Sequence, residues 1–195
     1  MNSRALGGYS YGMMKRRTKK KKTELLEAIG LIVPPKQTII EFGAGTGRYV
    51  QALGDLGYSA FGLDGGEGVE ELSEGLVQFC DLSVPNTNFL RKNICHWGLF
   101  TEVGEHIPAE FESIVVENIT RACKDGVIVT WATPGQRGHH HVNCRSVDYV
   151  VGLFNRCGFC VNNVLQKKAR KKVKKRRMRQ KLLVMTSPNN LVGTK

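Results

Sequence analysis

The chain has no apolar run approaching the roughly 18 residues a membrane-spanning helix needs, and its opening, "MNSRALGGYSYGMM", lacks the apolar centre of a secretion signal. Both absences lead to the expectation of an intracellular protein, cytoplasmic or nuclear, with no transmembrane segment. No internal repeat is present, which leaves a single compact unit rather than an array. A second C-x-x-C is also missing. Cys157 and Cys160 therefore have no partner pair to complete a zinc site, and the scattered Cys80, Cys95, Cys123 and Cys144 suit reduced thiols in a reducing compartment. At 195 residues the chain is long enough for one well-packed domain and too short for two ordinary ones.

Acid is absent from two stretches. "KRRTKKKK" (15–22), opening at Lys15 and closing at Lys22, carries seven Lys/Arg, and "KKARKKVKKRRMRQK" (167–181), opening at Lys167 and closing at Lys181, carries eleven. The rest holds 11 basic and 17 acidic residues, so the net charge of +12 belongs to two appendages on an acidic body. Such runs bind polyanions, nucleic acid or an anionic membrane surface, and also serve as nuclear-import signals. For the N-terminal run, a solvated and partly disordered flank is an equally good reading.

What is present alternates between two periods. "TELLEAIGLIVPP" spaces Leu25, Leu26, Ile29 and Ile32 helically behind Thr23 and stops at the two prolines. "QTIIEF" reads as a strand, "GAGTG" as a turn, and "RYVQALGDLG" as a helix ending at Gly57. Further strands are expected at 58–64, 75–81, 94–101 and in "VIVTWA", "FCVNNVLQ" and "KLLVMTS". Helices are expected over 109–126 and in "SVDYVVGLFNRCG". Strands alternating with helices imply an α/β domain with a largely parallel, doubly wound sheet covered on both faces.

Gly43, Gly45 and Gly47 alternate as G-x-G-x-G after Glu41, and Arg48 stands where a dinucleotide fingerprint needs glycine, which argues against NAD. "EFGAGTG" resembles motif I of the class I S-adenosylmethionine-dependent methyltransferases. An acid there suits an ammonium and a sulfonium better than phosphates. The resemblance covers roughly residues 24–186 and implies a Rossmann-like seven-stranded sheet whose last strand is antiparallel. It divides the chain into a basic arm (1–22), a methyltransferase domain (23–187) with the basic insertion 167–181, and a tail (188–195). It also implies S-adenosylmethionine as cofactor. Glu41, Gly43, Ala44, Gly45 and Gly47 would hold its amino-acid end, Asp64 and Gly65 its ribose, Asp81 and Leu82 its adenine, with Thr101 close by.

In such a fold the fourth strand ends beside the transferable methyl group, and here that strand runs into "FTEVGEHIP". Two carboxylates and an imidazole make a hard donor set suited to Mg²⁺ or Mn²⁺, and acceptable to Zn²⁺. The pattern E-x-x-E-H plus a later histidine is similar to two metal-dependent groups, the small-RNA 3′-terminal 2′-O-methyltransferases and the ubiquinone-biosynthesis O-methyltransferases. The resemblance implies Glu102, Glu105 and His106 as ligands, with a fourth from "GHHHVN" (138–143). Of its histidines His141 is favoured, since it precedes the polar turn into the next helix. Glu105 and His106, with His139 or His140 as proton acceptor, are the catalytic candidates. Metal-free methyltransferases carry the same pattern, so an ordinary acid/base site stays open.

The expected function is O-methylation of a hydroxyl or vicinal diol on a small molecule or sugar. Ribose 2′-O-methylation of RNA is the alternative. Against RNA stand "WATPGQRG", which departs from the asparagine-containing stretch of the small-RNA enzymes, and the scarcity of aromatic residues beside the basic runs. A non-catalytic nucleic-acid-binding module on the same fold is the third reading, opposed by the retained Glu41, Asp64 and Asp81.

Overall fold

The computed structural model describes residues 23–85 and 91–188. The N-terminal arm with its basic run 15–22, and the tail from 189, lie outside the described residues. A leading helix α1 (Thr23–Ile32) precedes β1 (Thr38–Phe42), α2 (Arg48–Asp55), β2 (Ser59–Asp64), the short α3 (Val69–Leu72), β3 (Val77–Phe79) and β4 (Cys95–Thr101). Two single 3₁₀ turns, Gly104–His106 and Ala109–Phe111, lead into α4 (Glu112–Ala122), β5 (Cys123–Thr130), α5 (Val147–Arg156) and β6 (Cys160–Val161). Two basic helices, α6 (Asn163–Lys172) and α7 (Arg176–Lys181), then return the chain to β7 (Leu183–Thr186).

The seven strands form one sheet in the order β3-β2-β1-β4-β5-β7-β6. Every pairing is parallel except those of β7, which runs antiparallel to both β5 and β6. This is the seven-stranded Rossmann-like sheet of the class I methyltransferases, with its reversed last strand. Strand order turns back on itself between β1 and β4, so the loops leaving those two strands diverge and open a crevice at their carboxyl ends. The glycine turn leaves β1 there, and the acid-rich turn leaves β4.

Both faces are covered. On one, Ile40, Phe42, Phe100, Val127, Val129 and Met185 pack against Val115 and Ile119 of α4 and Leu153 and Phe154 of α5. On the other, Ile39, Leu99, Ile128 and Val184 pack against Leu25 and Ile29 of α1, Ala169 of α6 and Met178 of α7. Strand periodicity would place Cys95, Trp97 and Leu99 on one face. A register shift between Cys95 and Trp97 instead sends Cys95 to the first core and Trp97 and Leu99 to the second.

Three boundaries differ from the sequence reading. The helix expected to reach 126 ends at Ala122, because Cys123 pairs with Cys95 and starts β5 four residues before "VIVTWA". The strand expected at 75–81 is reduced to Val77–Phe79. The strand expected in "FCVNNVLQ" is two residues long, since the Asn162 side chain accepts the Leu165 amide (3.1 Å) and caps α6. Among the described residues no helix is long and apolar enough to cross a membrane.

Candidate active site

Gly43, Gly45 and Gly47 all have positive φ (78°, 56° and 72°), so the turn after β1 is left-handed three times within five residues. The loop is tied to β2: the amides of Gly43 and Ala44 donate to the Leu63 carbonyl (2.7 and 3.0 Å). A Cβ on Gly43 would run into the Val103 side chain, which places the turn after β4 directly against the turn after β1. The two halves of the crevice therefore touch.

Acids line one half. Asp64, closing β2, accepts the Gly45 amide on Oδ2 and the Gly66 amide on Oδ1, both at 2.7 Å. Asp81, just past β3, accepts the amide (2.9 Å) and hydroxyl (2.6 Å) of Ser83 on Oδ1. The following loop is clamped by Asn118 of α4, whose side-chain amide donates to the carbonyls of Leu82 (3.1 Å) and Val84 (2.9 Å). Glu41 is buried on β1 and its Oε2 has no hydrogen-bond partner. Burial first, and the Asp64 charge second, push its carboxyl well above the usual carboxylate range. Burial also raises Asp64, against the lowering effect of its two amide donors. An orphaned, buried acid behind a left-handed glycine turn is a place that a cation relieves. These residues fit the ammonium end of S-adenosylmethionine, and Asp64, Gly65, Asp81 and Leu82 line the same rim. Thr101 stands half-buried at the end of β4, in register with Thr130.

The other half is built by the 3₁₀ turn Gly104–His106 and the segment 133–146. That segment is drawn onto the turn by two amides: those of Val142 (2.9 Å) and Asn143 (3.0 Å) both donate to the Glu105 backbone carbonyl. Trp131 Nε1 donates to the Asn143 carbonyl at 2.6 Å. Behind it the buried Glu112 accepts from Asn143 Nδ2 (3.2 Å), Arg145 Nε (3.0 Å) and the Tyr149 hydroxyl. Residues 36 apart in sequence thereby come together: Glu105, His106 and His141 present ligand atoms all within 4.8 Å of one another.

The protonation pattern of this trio follows from its neighbours. His106 Nδ1 lies 3.0 Å from the His140 carbonyl and His141 Nδ1 lies 3.0 Å from the Gln136 carbonyl. A carbonyl only accepts, so each Nδ1 carries a proton, and in the neutral imidazole the lone pair then lies on Nε2, the tautomer a metal-binding histidine needs. Glu105 is 0% exposed and neither carboxylate oxygen accepts a hydrogen bond. Burial and the nearby Glu102 raise its carboxyl; the Glu105 and Ala132 amides, which lie near it outside hydrogen-bonding geometry, and the Lys181 ammonium only partly oppose them. A fully buried acid without a donor costs several kcal/mol if ionised. A bound cation removes that cost.

The remaining sequence candidates fall elsewhere. Glu102 turns to a partner that sequence reasoning missed: Lys181 Nζ lies 2.6 Å from Glu102 Oε1, and Thr130 Oγ1 donates to the same oxygen at 2.8 Å. Lys181 also donates to Gln136 Oε1 at 3.1 Å and is only 4% exposed. It closes a run of lysines and arginines that look alike in sequence, and nothing local marks it as the buried one. His139 and His140 expose their rings on the surface, where they meet edge to face, and His140 serves the trio through its carbonyl. Cys157 and Cys160 are free thiols, half-buried and exposed. A groove of ≈ 570 Å³ beside Lys92, Arg121, Lys124 and Arg156 lies at the start of β5, the opposite end of the sheet from this site.

The basic insertion is folded. Ala169, Val173 and Met178 turn inward against α1, Arg170 donates to the carbonyls of Gln180 (3.2 Å) and Leu182 (3.0 Å), and the other nine Lys/Arg before Lys181 are exposed. Two α1 acids answer part of this charge: Glu27 lies 3.7 Å from Lys172, and Glu24 accepts the Lys174 amide.

The fold defined by these elements is that of S-adenosylmethionine-dependent methyltransferases, and solved structures bear this out. The magnesium protoporphyrin IX methyltransferase of Synechocystis PCC 6803, solved with S-adenosylhomocysteine, superposes with a TM-score of 0.63 at 12% identity, over 91% of this chain and 92% of that one. A methyltransferase from Methanosarcina mazei gives 0.61 at 13% identity, over 82% and 96%. The 1,6-didemethyltoxoflavin-N1-methyltransferase of Burkholderia thailandensis gives 0.57 at 16%, over 85% and 76%. No known protein-family model matches the chain, and no curated protein matches it in sequence.

Proposed function

We propose that the protein is an S-adenosylmethionine-dependent O-methyltransferase whose acceptor hydroxyl is held and activated at Glu105, His106 and His141 with the help of a divalent ion. The observation that carries this reading is the Glu105 carboxylate, wholly buried and without a hydrogen-bond donor, within 4.8 Å of ligand atoms of two imidazoles whose Nδ1 atoms face backbone carbonyls. The cofactor supplies a methyl group on a sulfonium sulfur, and an ion at the trio supplies a charge that lowers the pKa of a coordinated hydroxyl. Glu41 offers its carboxylate to the cofactor's ammonium, Asp64 and Asp81 orient the nucleoside, and the amides on the Glu105 carbonyl hold the two histidines in place. A vicinal diol is the acceptor class, because two neighbouring oxygens fill an open coordination sphere. The test is a panel of diol and single-hydroxyl acceptors assayed with labelled cofactor and Mn²⁺. Methylation confined to the diols and abolished by a chelator is the expected outcome; chelator-insensitive transfer defeats the ion's part in it.

A second reading, in which the diol belongs to an RNA ribose, is favoured by the folded basic helices, whose last residue reaches into the site. Apart from the exposed Val164 at the start of α6, their apolar side chains turn inward, so the contact they offer is mainly electrostatic. RNA affinity should fall with a slope of about −0.7 in log–log salt plots for each phosphate contacted. Lys171→Glu with Lys175→Glu should flatten that slope by one to two such contacts. An unchanged slope removes these helices as the RNA surface.

A further inference from the structure

We infer that Lys181 sets the composition of the cation site: by holding the Glu102 carboxylate it keeps Glu102 out, leaving a three-residue site of Glu105, His106 and His141. This rests on the divalent-ion reading above. The sequence pattern alone puts Glu102 and Glu105 on equal terms, one turn apart. The geometry separates them. Glu102 Oε1 is engaged by Lys181 Nζ at 2.6 Å and Thr130 Oγ1 at 2.8 Å, and its amide donates to the Thr130 carbonyl at 3.0 Å. Its backbone sits at φ 58°, a left-handed conformation rarely taken by a non-glycine residue, and these contacts hold it there. Drawing the carboxylate away would strand a lysine that is 4% exposed and that otherwise donates to the Gln136 side chain. Leaving a buried ammonium without its carboxylate is strongly unfavourable.

The chemistry follows from the donor count. Two imidazole nitrogens and one carboxylate are a set for Mn²⁺, Zn²⁺ or another borderline first-row ion, whereas Mg²⁺ prefers oxygen and retains its water. Three protein ligands leave positions open for the acceptor's two oxygens. Lys181 is thus a positioning residue. It comes from α7, so the basic helices and the reaction site share one element.

The test is calorimetric titration of Mn²⁺ and of Mg²⁺ into the full chain. Wild type is expected to bind one Mn²⁺ and to bind Mg²⁺ far more weakly. Glu102→Gln should keep Mn²⁺ affinity within about threefold, whereas Glu105→Gln should lose about 100-fold. Lys181→Met frees Glu102 to reach the ion and should tighten Mg²⁺ binding by about tenfold, an effect that Lys181→Arg should not produce. If Glu102→Gln loses as much as Glu105→Gln, Glu102 is a ligand and the inference fails while the ion reading stands. It also fails if a folded Lys181→Met leaves Mg²⁺ binding unchanged. No Mn²⁺ binding in wild type defeats the ion reading itself. Should Lys181→Met not fold, Glu102→Gln decides alone.

Discussion

Glu41→Gln is expected to weaken S-adenosylmethionine binding by about 30- to 100-fold while leaving the apo protein more stable at alkaline pH than the wild type. The two effects have one cause. Glu41 is buried on β1, its Oε2 accepts nothing, and burial with the Asp64 charge pushes its carboxyl well above the usual range. Because the folded pKa is raised, the neutral acid's contribution to stability is complete below the unfolded value of about 4.3 and is lost as pH rises through the folded one. Glutamine has no such charge to place. Melting should therefore coincide near pH 4 and diverge above it, by about 2–4 °C for each 1 kcal/mol in a chain of this size. The cofactor's ammonium needs the ionised form, so wild-type affinity should fall as pH drops below the folded pKa, and the variant's affinity should depend less on pH, with only Asp64 left to titrate beside the cofactor. Calorimetry of cofactor binding at pH 5.5 and 8, with melting curves of the apo proteins, reads both. A variant that binds as tightly as wild type excludes Glu41 from the cofactor contact.

Gly138→Ala carries the second large effect, from a glycine on an exposed loop. A Cβ at this position would overlap the His141 imidazole at Nε2, Cδ2 and Cε1. The ring can make way only by leaving the orientation fixed by its Nδ1 contact to the Gln136 carbonyl. Mn²⁺ affinity is expected to drop about 10- to 100-fold, with stability within about 0.5 kcal/mol of wild type because the residue is exposed. Titration beside a melting curve separates the two. Unchanged Mn²⁺ affinity in a protein whose wild type binds the ion removes His141 from the ligand set.

Burying two raised acids, Glu41 and Glu105, with carboxylate oxygens that accept no hydrogen bond, at the carboxyl edge of one sheet makes little sense for stability alone. Each gains from a positive partner that the chain does not supply. Glu112, by contrast, is also buried but satisfied by Asn143, Arg145 and Tyr149, and it serves as a strut. The difference between the satisfied and the unsatisfied acids separates scaffold from site.

Much of this was local enough to be legible in the sequence. The apolar run before Glu41, the glycines that alone accept three left-handed turns in five residues, and the acids at the ends of β2 and β3 follow from strand and turn chemistry written in consecutive residues. The seven-stranded sheet with its reversed last strand was implied by the resemblance of the glycine turn to class I methyltransferases and not by local chemistry, as was the expectation that a histidine after β5 joins the E-x-x-E-H turn. Only tertiary structure decided the rest, because it depends on partners distant in the chain. Cys123 is strand because Cys95 is opposite it, and "NNVLQ" is helix because Asn162 caps it where β6 runs out of pairing. Glu102 and Glu105 stand three residues apart with identical side chains, yet one meets a buried lysine from the far end of the domain and the other meets none. Local patterns set which backbone shapes a segment accepts, and long-range packing chose which charge was answered within the chain and which was left for a ligand.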